Sequence, residues 1–202
     1  MSEHPLLLVA LIGAAVYLGH LWWSDYRRPT TDPGGPPPLP GATAAPRRII
    51  MLAVAGSCGL LAVESWGEYQ LGIVGEQSTL TVLAAIHTLG AVVIEELIFR
   101  GFLVINGRGP WARWAGILGA SVLFALAHPF LWTLEGGFAL TLTVKGTFST
   151  GAAFVFSLWF YFLRFNRWNP AASLLPCFAG HAAKNLGVIA IKGAQGFLVG
   201  WW

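Results

Sequence analysis

Six stretches of this chain are apolar for long enough to cross a bilayer, which constrains the fold before any motif is considered. They lie at about 5–23, 49–66, 79–105, 112–128, 148–165 and 170–191. Hydrocarbon offers no water to a backbone amide, so spans of this length are helices. Only 10% of the residues are charged and 55% are hydrophobic, against ~25% charged in soluble domains. The expected fold is all-α: a polytopic transmembrane helical bundle of about six spans, with any active site held within the membrane.

The segments between the spans set the organisation. Ser2-Glu3-His4 is not a basic n-region, and no small-residue cleavage pattern precedes a soluble domain, so residues 5–23 read as an uncleaved helix. The loop 24–48 contains Pro-Gly-Gly-Pro-Pro-Pro-Leu-Pro-Gly at 33–41, which cannot continue a helix and reads as a semi-rigid solvated linker. Glu64 falls near the end of the second span and reads as interfacial. Residues 129–147 fit a loop, a short interfacial helix or a re-entrant piece. The alternation of Thr141 and Thr143 with apolar neighbours is too short to choose. Cys58 and Cys177 both lie in apolar runs and are expected as free thiols. The division expected is two variable N-terminal spans over 1–78 and a core over 79–202.

Orientation follows from the basic residues. Arg27, Arg28, Arg47, Arg48, Arg108, Arg113, Arg164 and Arg167 belong to the loops after spans one, three and five, whereas the opposite side carries Lys145 and Lys192. The bias places those three loops in the cytoplasm and both termini outside it. The net charge of +3 therefore marks orientation, not nucleic-acid binding. Trp22, Trp23, Trp111, Trp114, Trp168, Trp201 and Trp202 fall near span ends, as interfacial belts do, so lipid is the first partner expected.

Against this apolar background stands Glu95-Glu96-Leu97-Ile98-Phe99-Arg100. An ionisable residue inside a span costs at least ~2.5–3.5 kcal/mol on insertion scales, and its default reading is functional. Glu96 and Arg100 are four apart, with the glutamate N-terminal, the favourable order for a helical ion pair. Glu95 is rotated ~100° away and lacks such a partner, so one carboxylate is structural and the other is spare.

Further polar groups lie on later spans. Phe124 and His128 share a face of span four, and His181 and Asn185 share a face of span six. At ~1.5 Å rise per residue and ~39 Å per crossing, Glu95 lies ~24 Å from the outer edge, His128 ~15 Å, His181 ~23 Å and Asn185 ~17 Å. Four polar side chains from three spans thus fall within one slab ~10 Å deep. Lone buried histidines such as His20 or His87 usually do no more than satisfy a hydrogen bond. A set this costly at one depth reads as a functional polar site.

The pattern Glu-Glu-x-x-x-Arg, then Phe-x-x-x-His, then His-x-x-x-Asn resembles the CPBP family of CAAX proteases and bacteriocin-processing enzymes. These glutamate intramembrane endopeptidases include the type II CAAX prenyl proteases. The resemblance covers about residues 79–190, and Lys184 beside Asn185 departs from it, at a position expected to be uncharged. It implies that Glu95 and His128 activate a water, that His181 and Asn185 stabilise the oxyanion, and that Glu96 with Arg100, supported by Phe124, holds the helix geometry. The chemistry agrees: a partly desolvated carboxylate is a competent general base, and His and Asn donors suit a developing oxyanion. No cofactor is then required. The substrate implied is a peptide bond near the membrane, in a leader or tail of a membrane-associated protein. That protein could be lipidated or carry a C-terminal sorting tail. Compact size and the charge pattern point to a bacterial inner membrane.

Three rivals are weighed against this. Glu and His could bind zinc, although no His-Glu-x-x-His spacing occurs. Cys177 and His181 share a face as a nucleophile and base would, and Ser121 with His128 invites a weaker version. The same polar site could instead bind a peptide or lipid, or move a proton, in a non-enzymatic immunity protein or transporter.

Overall fold

A computed structural model describes residues 4–28, 36–105, 107–134 and 136–202. Six long helices carry the chain: α1 (Pro5–Arg27), α2 (Arg47–Gln70), α3 (Val82–Glu95), α4 (Gly109–Ala127), α5 (Val144–Phe165) and α6 (Leu175–Ala194). α3 continues without a break into a π-helical segment, Glu96–Phe102. Among the described residues five spans are long and apolar enough to cross a membrane, namely α1, α2, α3 with its π segment, α4 and α5. α6 is as long but carries His181, Lys184, Asn185 and Lys192. It can do so because it packs against α2, α3 and α5 and is shielded from lipid. The architecture is the expected all-α membrane bundle.

α2 packs along α6, α1 along α3, and α4 along α5. One core joins Trp22, Ile49, Ala53 and Leu61 of the first two helices to Leu97, Phe156, Phe160, Leu163, Leu174 and Cys177. In lipid, such packing depends on close backbone approach more than on apolar transfer. Gly180 supplies that approach for α6: a Cβ there would lie 2.9 Å from Ser57 Oγ and 3.2 Å from the Ala53 carbonyl. The next residue is His181, so this contact fixes the histidine's height against α2.

Two local expectations are corrected and one open stretch is resolved. Residues 36–46 are not a solvated linker: Trp22 Nε1 donates to the Pro40 carbonyl at 3.1 Å, and Leu39 N donates to Asp25 Oδ2 at 2.8 Å. Gly41, at φ +64°, sits so close to Leu174 that a side chain would clash. Residues 29–35, which include the start of the proline-rich run, lie outside the described residues. The sixth span begins at Leu175, not at Asn169-Pro170, because Asn169 folds residues 166–174 into a turn. Its side chain donates to Leu163 O and Ser173 O and accepts from Ser173 N. The ambiguous stretch 129–147 holds a short antiparallel pair, β1 (Trp132–Thr133) and β2 (Ala139–Leu140), and then the start of α5. Thr143 caps that helix, accepting from Gly146 N at 2.9 Å.

The opposite end is tied by the C-terminal tail. Leu80 N donates to Phe197 O, Val199 N to Leu80 O and Leu83 N to Trp201 O. These bonds satisfy amides at the start of α3 that have no partner within the helix.

Candidate active site

The acidic pair lies where α3 changes from α- to π-helical bonding, between Glu95 and Glu96. Such π turns concentrate at functional sites because widening the helix re-aims side chains. The carbonyls that it displaces find a partner in Tyr161 of α5, whose hydroxyl donates to Phe99 O at 2.5 Å and lies 3.4 Å from Leu103 O.

The two glutamates have different surroundings. Glu96 is fully buried, whereas the Glu95 side chain keeps 29% of its exposure. Arg100 Nη1 donates to Glu96 Oε1 at 3.1 Å, as the four-residue spacing anticipates. Arg100 Nη2 then donates to Ser157 Oγ at 2.7 Å, and Ser157 donates to Ser121 Oγ at 3.0 Å. The guanidinium lies 4.4 Å from the centre of the Phe124 ring, a cation–π contact in a water-poor setting. This network crosses from α3 to α5 and α4, so the ion pair fixes three helices together.

His181 stands between the carboxylates. Its Nδ1 lies 2.7 Å from Glu96 Oε1 and its Nε2 lies 3.7 Å from Glu95 Oε2. A carboxylate only accepts, so Nδ1 carries the proton and Nε2 is the atom left facing Glu95. The ring stacks on Phe160 at 4.8 Å between centroids. It has little freedom to turn, and both nitrogens are directed at glutamates.

His128 ends α4 in extended backbone at φ −80°, ψ 132°. Its Nδ1 donates to the Phe124 carbonyl at 2.8 Å, which again leaves Nε2 open. The ring stacks on Phe130 and touches Phe124, and Glu95, Lys184 and His181 are titratable groups within electrostatic range of it. Asn185 is buried one turn beyond His181, but its Nδ2 donates to the Thr88 carbonyl of α3 at 3.1 Å. Among the described residues it makes no hydrogen bond to the glutamates or histidines.

The site residues expected from the sequence therefore divide. Glu95, Glu96, Arg100, Phe124 and His181 are in one contiguous cluster, and His128 joins it through Phe124. Asn185 ties α6 to α3 beside the cluster. Ser121 belongs to the Arg100 network and not to the nucleophile pair that the sequence suggested, and Ser157, Phe160 and Tyr161 were missed as site residues. Their only signal is a small hydroxyl or an aromatic ring on a helix face inside an apolar run. The thiol and serine rivals lose their geometry. Cys177 is fully buried and donates to Phe160 O at 3.2 Å, while His181 is turned to the glutamates. Ser121 is fully buried and accepts from Ser157, not from His128. Among the described residues no group of three or more His, Cys, Asp or Glu is arranged to hold a metal ion.

A cavity of about 980 Å³ lies at the end where α2 finishes and α3 and α5 begin, and reaches Lys184 and Pro129, which adjoin Asn185 and His128 in the chain. Glu64, read from the sequence as interfacial, lines it with Glu68, Lys145, Lys184 and Lys192. Glu68 pairs with Lys145 and accepts from Gln77, and Lys192 donates to the Ser78 carbonyl. Lys184 has neither hydrogen bond nor ion pair among the described residues. It lies over the Phe156 ring at 5.5 Å, with Glu64 as an electrostatic neighbour.

Fold and site together define a helical membrane protein built around a glutamate–histidine centre. The model of one protein family, described as type II CAAX prenyl endopeptidase Rce1-like, matches residues 77–187. That is more than half of the chain, and the protein belongs to this family of membrane peptide hydrolases. Neither the curated proteins nor the solved structures include a match.

Proposed function

We propose that this protein is a glutamate-type intramembrane endopeptidase that hydrolyses a peptide bond with a water activated by Glu95 and His128. The observation that carries the reading is the asymmetry of the two carboxylates about His181. Glu96 is sealed and committed to Arg100 and to His181 Nδ1; Glu95 is partly open and, among the described residues, makes no hydrogen bond, with His181 Nε2 standing 3.7 Å away. A free carboxylate next to a fixed one is what a general base needs: reach toward water, with its surroundings held still.

In this reading Glu95 takes a proton from water as the oxygen attacks the scissile carbonyl. His128, with Nδ1 held by Phe124 O and Nε2 open, orients that water through Nε2, then takes up the proton held by Glu95 and delivers it to the leaving amine. His181 in its doubly protonated form, whose Nε2–H adds to the Nδ1–H held by Glu96, and the second N–H of Asn185 stabilise the developing oxyanion. Glu96, Arg100 and Phe124 hold His181 and the π segment in place. Neither metal nor covalent intermediate is needed for these steps. The substrate class is a leader or tail of a membrane-associated protein, and the membrane is a bacterial inner membrane with both termini outside the cytoplasm. Glu95→Gln is expected to abolish cleavage while the protein still accumulates in the membrane; retained cleavage refutes the base assignment.

A further inference from the structure

We propose that the substrate reaches this site from the non-cytoplasmic face, so that the bond cut belongs to an extracytoplasmic segment of a membrane-anchored protein. The inference rests on the protease reading above and adds the side of the membrane on which it acts. Two features of the bundle carry it, and they concern opposite ends.

At one end gather Arg27, Arg28, Arg47, Arg48, Arg108, Arg113, Arg164 and Arg167, at the close of α1 and α5 and the opening of α2 and α4. Arginine enrichment of this degree marks the cytoplasmic end. That end is closed. Residues 39–43 lie across it, held by Trp22 and Asp25 of α1 and by the 169–174 turn. Thr43 Oγ1 donates to Ala171 O at 3.1 Å, Leu174 N donates to Gly41 O at 3.0 Å, and Ser173 Oγ donates to Thr43 O. Pro40 reaches the π segment itself, since a Cβ on Gly101 would lie 3.4 Å from the Pro40 ring. A peptide entering here would have to break this seal.

The other end is open. The 980 Å³ cavity is lined by the last turns of α2, the residues leading into α3, the first turns of α5 and the second half of α6. Its volume is that of a site for a short peptide segment. Glu95, His128, His181 and Asn185 do not themselves line the cavity; it reaches Lys184 and Pro129, which adjoin Asn185 and His128 in the chain, and Lys184 is within electrostatic range of His128. Its lining mixes apolar surface with hydroxyls at Ser65, Ser78, Thr79 and Thr81 and charges at Glu64, Glu68, Lys145 and Lys184, so a peptide backbone finds hydrogen-bonding partners there.

Two measurements on the full-length protein test this. In spheroplasts of a bacterial host, with Cys58→Ala as background, single Thr79→Cys, Ser65→Cys and Arg108→Cys variants are treated with a membrane-impermeant maleimide. Thr79→Cys and Ser65→Cys are expected to label from outside, and Arg108→Cys only after permeabilisation. The reverse pattern overturns the proposal, and the two cavity positions guard against one variant failing to fold. In parallel, terminal peptides of membrane and secreted proteins are compared by mass spectrometry between cells carrying the wild type and cells carrying Glu95→Gln. Termini lost in the variant are expected to map outside the cytoplasm, and cytoplasmic cut sites overturn the proposal. If no terminus changes, the protease reading falls and the substrate falls with it. The labelling pattern still reports the open side, so the two failures are distinct.

Discussion

Adjacent isosteric substitutions at Glu95 and Glu96 should have opposite consequences. Glu96→Gln removes the carboxylate charge that Arg100 faces in a fully buried pair. Removing one partner of a buried ion pair typically costs ~3–5 kcal/mol, because the other charge remains desolvated. Ser157 still accepts from Arg100, and glutamine still offers an acceptor to His181, so the lower part of that range, about 3 kcal/mol, is expected. For a protein of this length that corresponds to a fall in Tm of roughly 6–12 °C. Glu95→Gln breaks nothing comparable: the side chain is partly exposed and its nearest charged neighbour is 3.7 Å away. Its stability should change by less than about 1 kcal/mol. Thermal unfolding in one detergent, paired with cleavage assays at a temperature where both variants are folded, separates the two. The reasoning predicts an inactive, stable Glu95→Gln and a destabilised Glu96→Gln with residual activity. It is refuted if Glu95→Gln is the unstable variant, or if Glu96→Gln melts with the wild type.

Further outcomes follow from the same geometry. Tyr161→Phe removes the donor to the Phe99 carbonyl and leaves a π-segment acceptor without it, which should cost about 1–3 kcal/mol, read as a lower melting temperature. Because the π segment positions Glu96 and Arg100, cleavage in that variant should fall at unchanged protein level. Cys177→Ala should retain cleavage, since the thiol is sealed against Phe160 O; loss of activity with normal folding would restore the thiol mechanism. Activity of purified protein should survive chelator, with less than one equivalent of zinc by elemental analysis. Chelator sensitivity reversed by zinc would instead put a metal at the glutamates and histidines.

How legible this was depended on the range of each interaction. The Glu96–Arg100 pair is local to one helix, and spacing alone selected it and left Glu95 over. Span length made the helical bundle legible in the same way, and the charge bias is the ground for the proposed orientation. A depth count of ~1.5 Å per residue placed Glu95 and His181 at nearly one level, and they are in contact. Rotation about α6 was not legible: no periodicity says that His181 inserts between two glutamates or that Asn185 reaches the Thr88 carbonyl. Nor was the π turn, because its carbonyls are satisfied by Tyr161, more than fifty residues further along the chain. The loop was misread for a related reason. Proline and glycine rule out a helix, but they do not rule out packing, and Gly41 is what lets the loop press against Leu174.

That loop connects the fold to the chemistry. A π segment is a strained way to run a helix through a membrane, and it persists only where neighbours hold it. Here Tyr161 satisfies its carbonyls from one side, and Pro40 stands against Gly101 from the closed end. The same closure that bars the arginine-rich end therefore braces the segment that carries Glu96 and Arg100. Glu95, one residue before the segment, stays on regular α-helix. Rigidity and access are thus divided at the bond between the two glutamates. The fixed carboxylate belongs to the braced side, and the free one keeps the partial exposure that the proposed reaction requires.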